Sequence, residues 1–292
     1  MRALVICVLA AGVGVARPGS ACVPCNCGDP TLTAPGVEQP YRNRIRIALE
    51  ERVSSHATED RDLSVLRSGL YAVWAPHNRI LLGAMLPWVT TWYRVPGRTD
   101  LLNGLGDLEV SGRVIVWRDR RFGPQHLLSV AGGIKTPTGQ RLVGGNGYYL
   151  SDDDQPSSGS WDPFADVSYS YFSRGLVAFF ASASLRWPTK GPRGYERGVA
   201  VGGSAQVQLQ PHARFAILLG AQALHRRPDS LANGADSPST GGTVLGVTPG
   251  FLIAPTTAMV IRVGATIPVV QALYGRQHEG PQGLAAMSYD FN

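Results

Sequence analysis

The stretch LLNGLGDLEVSGRVIVWRDRRFGPQHLLSVAGGIKTPTG, Leu101 to Gly139, decides the fold. From Leu108 every second residue is apolar or glycine (Leu108, Val110, Gly112, Val114, Val116), and between them stand Glu109, Ser111, Arg113, Ile115 and Trp117. Alternation with a period of two marks a strand with one apolar and one largely polar face. Past the charged turn Asp119 to Gln125 the pattern resumes, with Leu128, Val130, Gly132 and Ile134 opposite Leu127, Ser129, Ala131, Gly133 and Lys135. Two such runs across a short polar turn form an antiparallel hairpin.

The same pattern extends outward in both directions. Upstream, Ile45, Ile47 and Leu49 alternate with Arg44, Arg46 and Glu50, and a polar loop is expected at Ser54 to Asp62. Leu66, Leu70, Ala72 and Trp74 then stand against Arg67, Gly69 and Tyr71, and Ile80, Leu82, Ala84, Leu86, Trp88 and Trp92 follow. Downstream, apolar alternation marks strands near Pro163 to Phe172, Leu176 to Trp187, Gly198 to Gln210, Arg214 to Leu224, Ala258 to Val269 and Leu284 to Phe291. Thr243 to Ala254 reads as a strand without a clear facing. The total is about twelve strands, most of roughly 9 to 11 residues, long enough to cross a bilayer when tilted.

The connections alternate in length. Short ones fall at Ala75 to Asn78, Asp119 to Gln125, Ser173 to Gly175, Gln210 to Ala213 and Ala254 to Thr256. Longer ones fall at Arg94 to Gly106, Thr136 to Ser160, Pro188 to Arg197, Arg226 to Gly242 and Gln271 to Gly283. The expectation is an all-β chain: a transmembrane antiparallel up-and-down β-barrel with short periplasmic turns and longer external loops. A water-soluble sandwich would not sort its loops this way. In hydrocarbon every backbone polar group must be paired, so the last strand has to close on the first. Trp74, Trp88, Trp92, Tyr93, Trp117, Trp161, Tyr171, Trp187 and Tyr289 stand near strand ends, where interfacial girdles form.

Three short motifs carry a family resemblance: Gly104-Leu105-Gly106-Asp107-Leu108 entering a strand, Gly133-Ile134-Lys135-Thr136-Pro137-Thr138-Gly139 leaving one, and Ile267-Pro268-Val269-Val270-Gln271 with Gly275. Together they resemble the outer-membrane β-barrel transporter family labelled for the MetA pathway of phenol degradation, over roughly Arg42 to Asn292. The resemblance implies a passive or substrate-selective transporter linked to aromatic compounds, with no fixed catalytic residues. The final Tyr289-Asp290-Phe291-Asn292 resembles the aromatic-ended strand recognised by the barrel-assembly machinery, with Asn292 following the aromatic.

Composition agrees with a folded, turn-rich chain: of 292 residues 44% are hydrophobic and 16% charged, with 35 glycines and 21 prolines. Arg2, the apolar Ala3 to Ala16 and Gly19-Ser20-Ala21 read as an export signal over residues 1–21. A Cys/Pro-rich periplasmic lead follows over 22–41, and then the barrel over 42–292. Cys22, Cys25 and Cys27 are the only mature cysteines. A disulfide between two of them is favoured over a soft-metal site, since no histidine is near and a closed zinc site would need a further pair. Lipidation of Cys22 is an alternative, although Gly19 stands where such a signal has leucine. These cysteines could also join the lead to a periplasmic partner.

The inward face should carry Arg44, Arg46, Arg67, Arg113, Lys135, Arg186 and Arg262 against Glu50, Glu109, Asp166 and Asp290, with Gln206, Gln208 and Gln222 as neutral donors and acceptors. A basic-leaning tube concentrates anions, which makes the chain an outer-membrane channel for small solutes, with anionic or aromatic compounds favoured. The opposing possibility is that these charges pair across the lumen and fill it. No cofactor and no catalytic residue is expected. His126 and Ser129 fall on opposite strand faces, while Ser54, Ser55 and His56 are placed in a loop with no orienting group, so a lipid hydrolase is disfavoured. Asp152-Asp153-Asp154 is expected as a solvated loop rather than a cation site. Net charge falls from +6 to +4 once Arg2 and Arg17 leave, and its basic residues are dispersed, which argues against nucleic-acid binding.

Overall fold

A computed structural model describes residues 43–58, 61–121, 124–173, 175–237 and 239–291; the expected export signal and the Cys22, Cys25 and Cys27 cluster lie outside them. The strands are β1 (Ile45–Thr58), β2 (Asp62–His77), β3 (Ile80–Val95), β4 (Arg98–Leu105), β5 (Glu109–Arg118), β6 (His126–Lys135) and β7 (Asp162–Phe172). They continue as β8 (Val177–Arg186), β9 (Ala200–His212), β10 (Phe215–Arg226), β11 (Gly242–Ile253), β12 (Met259–Leu273), β13 (Gln277–Glu279) and β14 (Gln282–Phe291). Every pairing between them is antiparallel. β4 and β5 pair in succession with β3, and β13 and β14 in succession with β1, so each couple is one interrupted stave and the sheet has twelve. Closure is made by β1 on β14, from Ile45 opposite Phe291 to Val53 opposite Gly283.

The alternation in sequence becomes an inside and an outside. On β1, Ile45, Ile47, Leu49 and Val53 are exposed while Arg46 and Ser54 are buried, and the same division runs round the barrel through Leu82, Val130, Val167, Leu185, Val207, Ile217 and Met287. Among the described residues no helix is long and apolar enough to cross a membrane. An apolar band of this extent around a closed sheet has hydrocarbon as its matching solvent. β11 shows its facing here, with Leu245, Val247, Phe251 and Ile253 outward and Val244 and Leu252 buried.

Four expectations are corrected. The register shifts between Ile115 and Trp117, and this β-bulge turns Trp117 outward to 49% exposure instead of leaving it on the polar face. Arg94 to Gly106 is not a loop: β3 and β4 rise as a hairpin and turn at Pro96-Gly97, where Gly97 takes a φ of 81°. Ser54, Ser55 and His56 lie in β1, whose pairing with β2 continues to Ala57 opposite Asp62. The lumen side is also less polar than expected, since Leu63, Val65 and Val89 form one buried cluster and Ala216, Leu218, Leu252 and Val260 another.

Candidate functional site: the lumen and its outer mouth

The inward charges are grouped by strand pairing. Near the chain ends Arg46 donates to both carboxylate oxygens of Asp290 at 2.7 and 3.0 Å, and Arg44 joins the same carboxylate. Arg52 pairs with Glu50 at 3.0 Å, and Tyr71 reaches the same Glu50 oxygen. Midway, Glu109 takes Arg186 at 3.2 Å and Arg67 at 3.7 Å. Arg113 contacts Asp166 at 3.3 Å and donates to Ser168 at 2.7 Å. The Arg186 guanidinium also lies 5.0 Å over the Phe164 ring. Most of these groups stand on β1 to β8, so one wall of the tube is a pairing layer of buried ions.

The other wall has a different chemistry. β9 to β12 turn Ser204, Gln206, Gln222, Thr248, Gly264 and Thr266 inward, and these line a cavity of about 100 Å³. Arg52, Arg262 and Glu279 edge the same cavity. Short neutral side chains leave space beside the packed wall, and their hydroxyls and amides offer hydrogen bonds without fixed charge.

The external loop 136–161 is anchored into this tube by Asp107, which sits in the break between β4 and β5. Asp107 is 1% exposed. It accepts hydrogen bonds from Gly139 N at 2.9 Å, Ser157 Oγ at 2.6 Å and Ser158 N at 2.8 Å. Lys135 Nζ lies 3.3 Å from Asp107 and 2.5 Å from Asp162, and donates to Ser158 Oγ at 2.6 Å. A Cβ on Gly139 would stand 2.7 Å from the Gly106 carbonyl carbon and 2.9 Å from the Asp107 nitrogen, which accounts for glycine there. The Gly106-Asp107 and Thr136 to Gly139 motifs thus form one joint.

The loop after β8 locks to this one, and the loop after β10 locks to that loop in turn. Arg197 donates to Gln155 O at 2.9 Å, and the Gln155 amide closes on Leu142 and Leu150. Asp229 is fully buried, accepts from Gly198 N at 2.8 Å and holds the Tyr195 hydroxyl; burial and the Asp229 charge push the Tyr195 phenol up. The acidic run is not a solvated loop. Arg61 reaches Asp153 at 2.6 Å and Asp154 at 2.7 Å, Arg141 pairs with Asp152, and Asp154 is 3% exposed. Local sequence could not show this, because Arg61, which holds Asp153 and Asp154, arrives from the β1–β2 turn 92 positions before Asp153.

Burial, then the neighbouring Asp153 charge, pushes Asp154 from 3.8 up to about 6 against the pull of Arg61. A carboxyl whose folded pKa is raised contributes stability that is fully present below its unfolded value and lost as pH rises through the folded one. The packed loop should therefore be tighter at pH 5 than at pH 7.5. The Asp154 amide, which donates to Ser151 O at 3.0 Å, reports it. Hydrogen exchange corrected for intrinsic rate should show more protection at pH 5, and Asp154→Asn should remove the difference; equal protection at both pH values in the parent chain would refute it.

Other candidate chemistries are placed as follows. Ser129 faces the lumen, 2.7 Å from Ser168, whereas the His126 ring, near lipid-facing Trp117, meets Tyr169 at 2.7 Å, so the two make no nucleophile and base pair. No group of three or more His, Cys, Asp or Glu able to hold a metal occurs among the described residues. Asp107, Asp162, Asp229 and Arg61 were not singled out by the sequence as site residues. The one available signal was Asp107 between two glycine-bounded strand ends.

Fold and lumen together define a twelve-stranded outer-membrane β-barrel. No family model and no curated protein matches the sequence. The chain is similar in structure to an outer membrane channel from Pseudomonas putida F1, at 13% identity and a TM-score of 0.69 over 89% of this chain and all of that one. It is also similar to the NanC porin, at 10% identity and a TM-score of 0.50 over 82% of this chain and 98% of that one. The β domain of the Bordetella autotransporter BrkA gives 11% identity and a TM-score of 0.50 over 85% and 100%. At these identities the likeness is one of fold.

Proposed function

We propose that the protein is a passive outer-membrane channel for small polar solutes, with a path along the neutral β9 to β12 wall. The observation that carries this is the placement of the luminal cavity, beside Ser204, Gln206, Gln222, Thr248 and Thr266, rather than in the ion-paired layer. Two structurally similar proteins, the outer membrane channel from Pseudomonas putida F1 and the NanC porin, support it. Pairing of Arg46, Arg113, Lys135 and Arg186 with carboxylates cancels much of the basic lean, so anions are favoured weakly. Anionic and aromatic solutes small enough for the cavity remain the first compounds to test.

In planar bilayers the purified chain should give small, discrete conductance with at most a few-fold preference for anions. Thr248→Trp should reduce that conductance severalfold, since an indole would occupy the cavity. Arg262→Gln should shift the reversal potential, because Arg262 edges the path. Absence of conductance in the parent chain, or a clear cation preference, would overturn the proposal.

A further inference from the structure

Consecutive residues of the 136–161 loop are gripped from opposite sides of the barrel. Arg61, in the turn between β1 and β2, reaches Asp153 at 2.6 Å and Asp154 at 2.7 Å. Arg197, in the connection between β8 and β9, donates to Gln155 O at 2.9 Å. Six staves (β2, β3, the β4 and β5 couple, β6, β7 and β8) separate these two connections in a ring of twelve, so they face each other across the mouth. The chain at 153–155 therefore passes between them, over the middle of the lumen rather than along its rim. Asp154, Gln155 and Arg197 are buried, which makes the crossing dry.

This crossing stands at the outer exit of the luminal cavity. Glu279, which edges the cavity, lies opposite His56 in the pairing of β1 with β13, five positions before Arg61. A barrel of twelve staves is narrow enough for one buried strap to close it. The two grips differ in kind. Towards β6 and β7 the loop is bolted at its base by Lys135 and by Asp107, which accepts from Ser158 N. Towards β1 and β2 it is held by the Arg61 guanidinium, and both Arg61 and Asp153 keep part of their surface in water. A partly wet ion pair holds less firmly than a buried hydrogen-bonded one, so the Arg61 side is the end that can let go.

We infer that residues 150–157 are a lid over the outer mouth, hinged at the Asp107 and Lys135 joint and latched by Arg61, which makes Arg61 the gating residue of the channel. The inference rests on the conduction proposed above and adds its regulation: a solute enters when Arg61 parts from Asp153 and Asp154. Release frees the lid from β1 and β2, the side on which Arg52 and Glu279 edge the cavity.

Charge reversal on each side of the latch tests this, with the full chain in planar bilayers in potassium chloride. Arg61→Glu and Asp153→Arg should each raise conductance severalfold, although they change the charge of the mouth in opposite senses. Combined, they restore an opposite-charge pair, and conductance should return towards the parent value. Arg120→Glu, at the short-turn rim, should leave it near that value. Heat-modifiable migration on gels checks that each variant folds. Hydrogen exchange at the Leu150 and Asp154 amides, which donate to Leu142 O and Ser151 O, reads the lid without needing current, and both reversals should lower their protection. Current and protection unchanged in either reversal would overturn the lid and leave conduction standing. A rise in only one reversal, or no return in the combined variant, would overturn it too. Protection lost in both reversals with no current from any chain would instead overturn conduction while upholding the latch.

Discussion

Lys135→Met should cost about 3–5 kcal/mol of stability, the range for removing one partner of a buried ion pair. Lys135 is 6% exposed, and its ammonium is the countercharge to both Asp107 and Asp162, each 1% exposed. Methionine fills much the same volume but leaves two carboxylates facing each other in a site shielded from water. One of them must then take a proton or draw water inward, and the carboxylate that holds Ser157 and Ser158 loses its electrostatic support. Urea unfolding in micelles would measure the loss. Adding Asp162→Asn should return a good part of it, because the amide carries no charge and can still meet Ser160. A change below about 1 kcal/mol for the single variant would show that Lys135 is not the pivot of this joint.

Val167→Arg should destabilise the barrel by about 2–4 kcal/mol, whereas Trp187→Arg should cost about 0–1 kcal/mol. Val167 is 42% exposed at the middle of β7, and Trp187 is 60% exposed just beyond the end of β8. In water both sites would accept arginine within about 0.5 kcal/mol. In a bilayer the first guanidinium must stay in hydrocarbon or distort the membrane, while the second reaches the headgroups by extending outward. The contrast between the two sites carries the meaning, since a common loss at both would indicate damage to the sheet itself. Refolding into lipid vesicles with denaturant titration gives both values. Equal costs at Val167 and Trp187 would contradict a membrane band centred on the strand midpoints.

Facing was legible from sequence wherever alternation was unbroken. Ile45, Ile47 and Leu49 could be placed outward, and Arg46 and Glu50 inward, because the two faces of a strand are set by backbone pleat alone. Legibility failed where the pleat is interrupted. The bulge beside Val116 reverses Trp117, and no local residue announces it. Arg98–Leu105 was missed as a strand because its outward residues Thr99, Leu101 and Asn103 alternate poorly, and its stability comes from pairing with β3. The candidate lumen charges could be named but not matched, for partners such as Arg46 and Asp290 lie 244 positions apart and meet only when β1 closes on β14.

The amino-acid sequence by itself determined a closed, membrane-spanning antiparallel sheet, since a two-residue period of apolar side chains leaves hydrocarbon outside and requires that no edge stay unpaired. It also determined that arginines and carboxylates would stand inside. Only the tertiary structure decided where they stand: an ion-paired layer along one wall, a cavity lined mainly by neutral side chains and edged by Arg52, Arg262 and Glu279 along the other, and an external loop pinned through Asp107 and Lys135. The physical reason is range. Facing depends on neighbours one or two residues away, whereas charge pairing depends on which strands barrel closure brings into register.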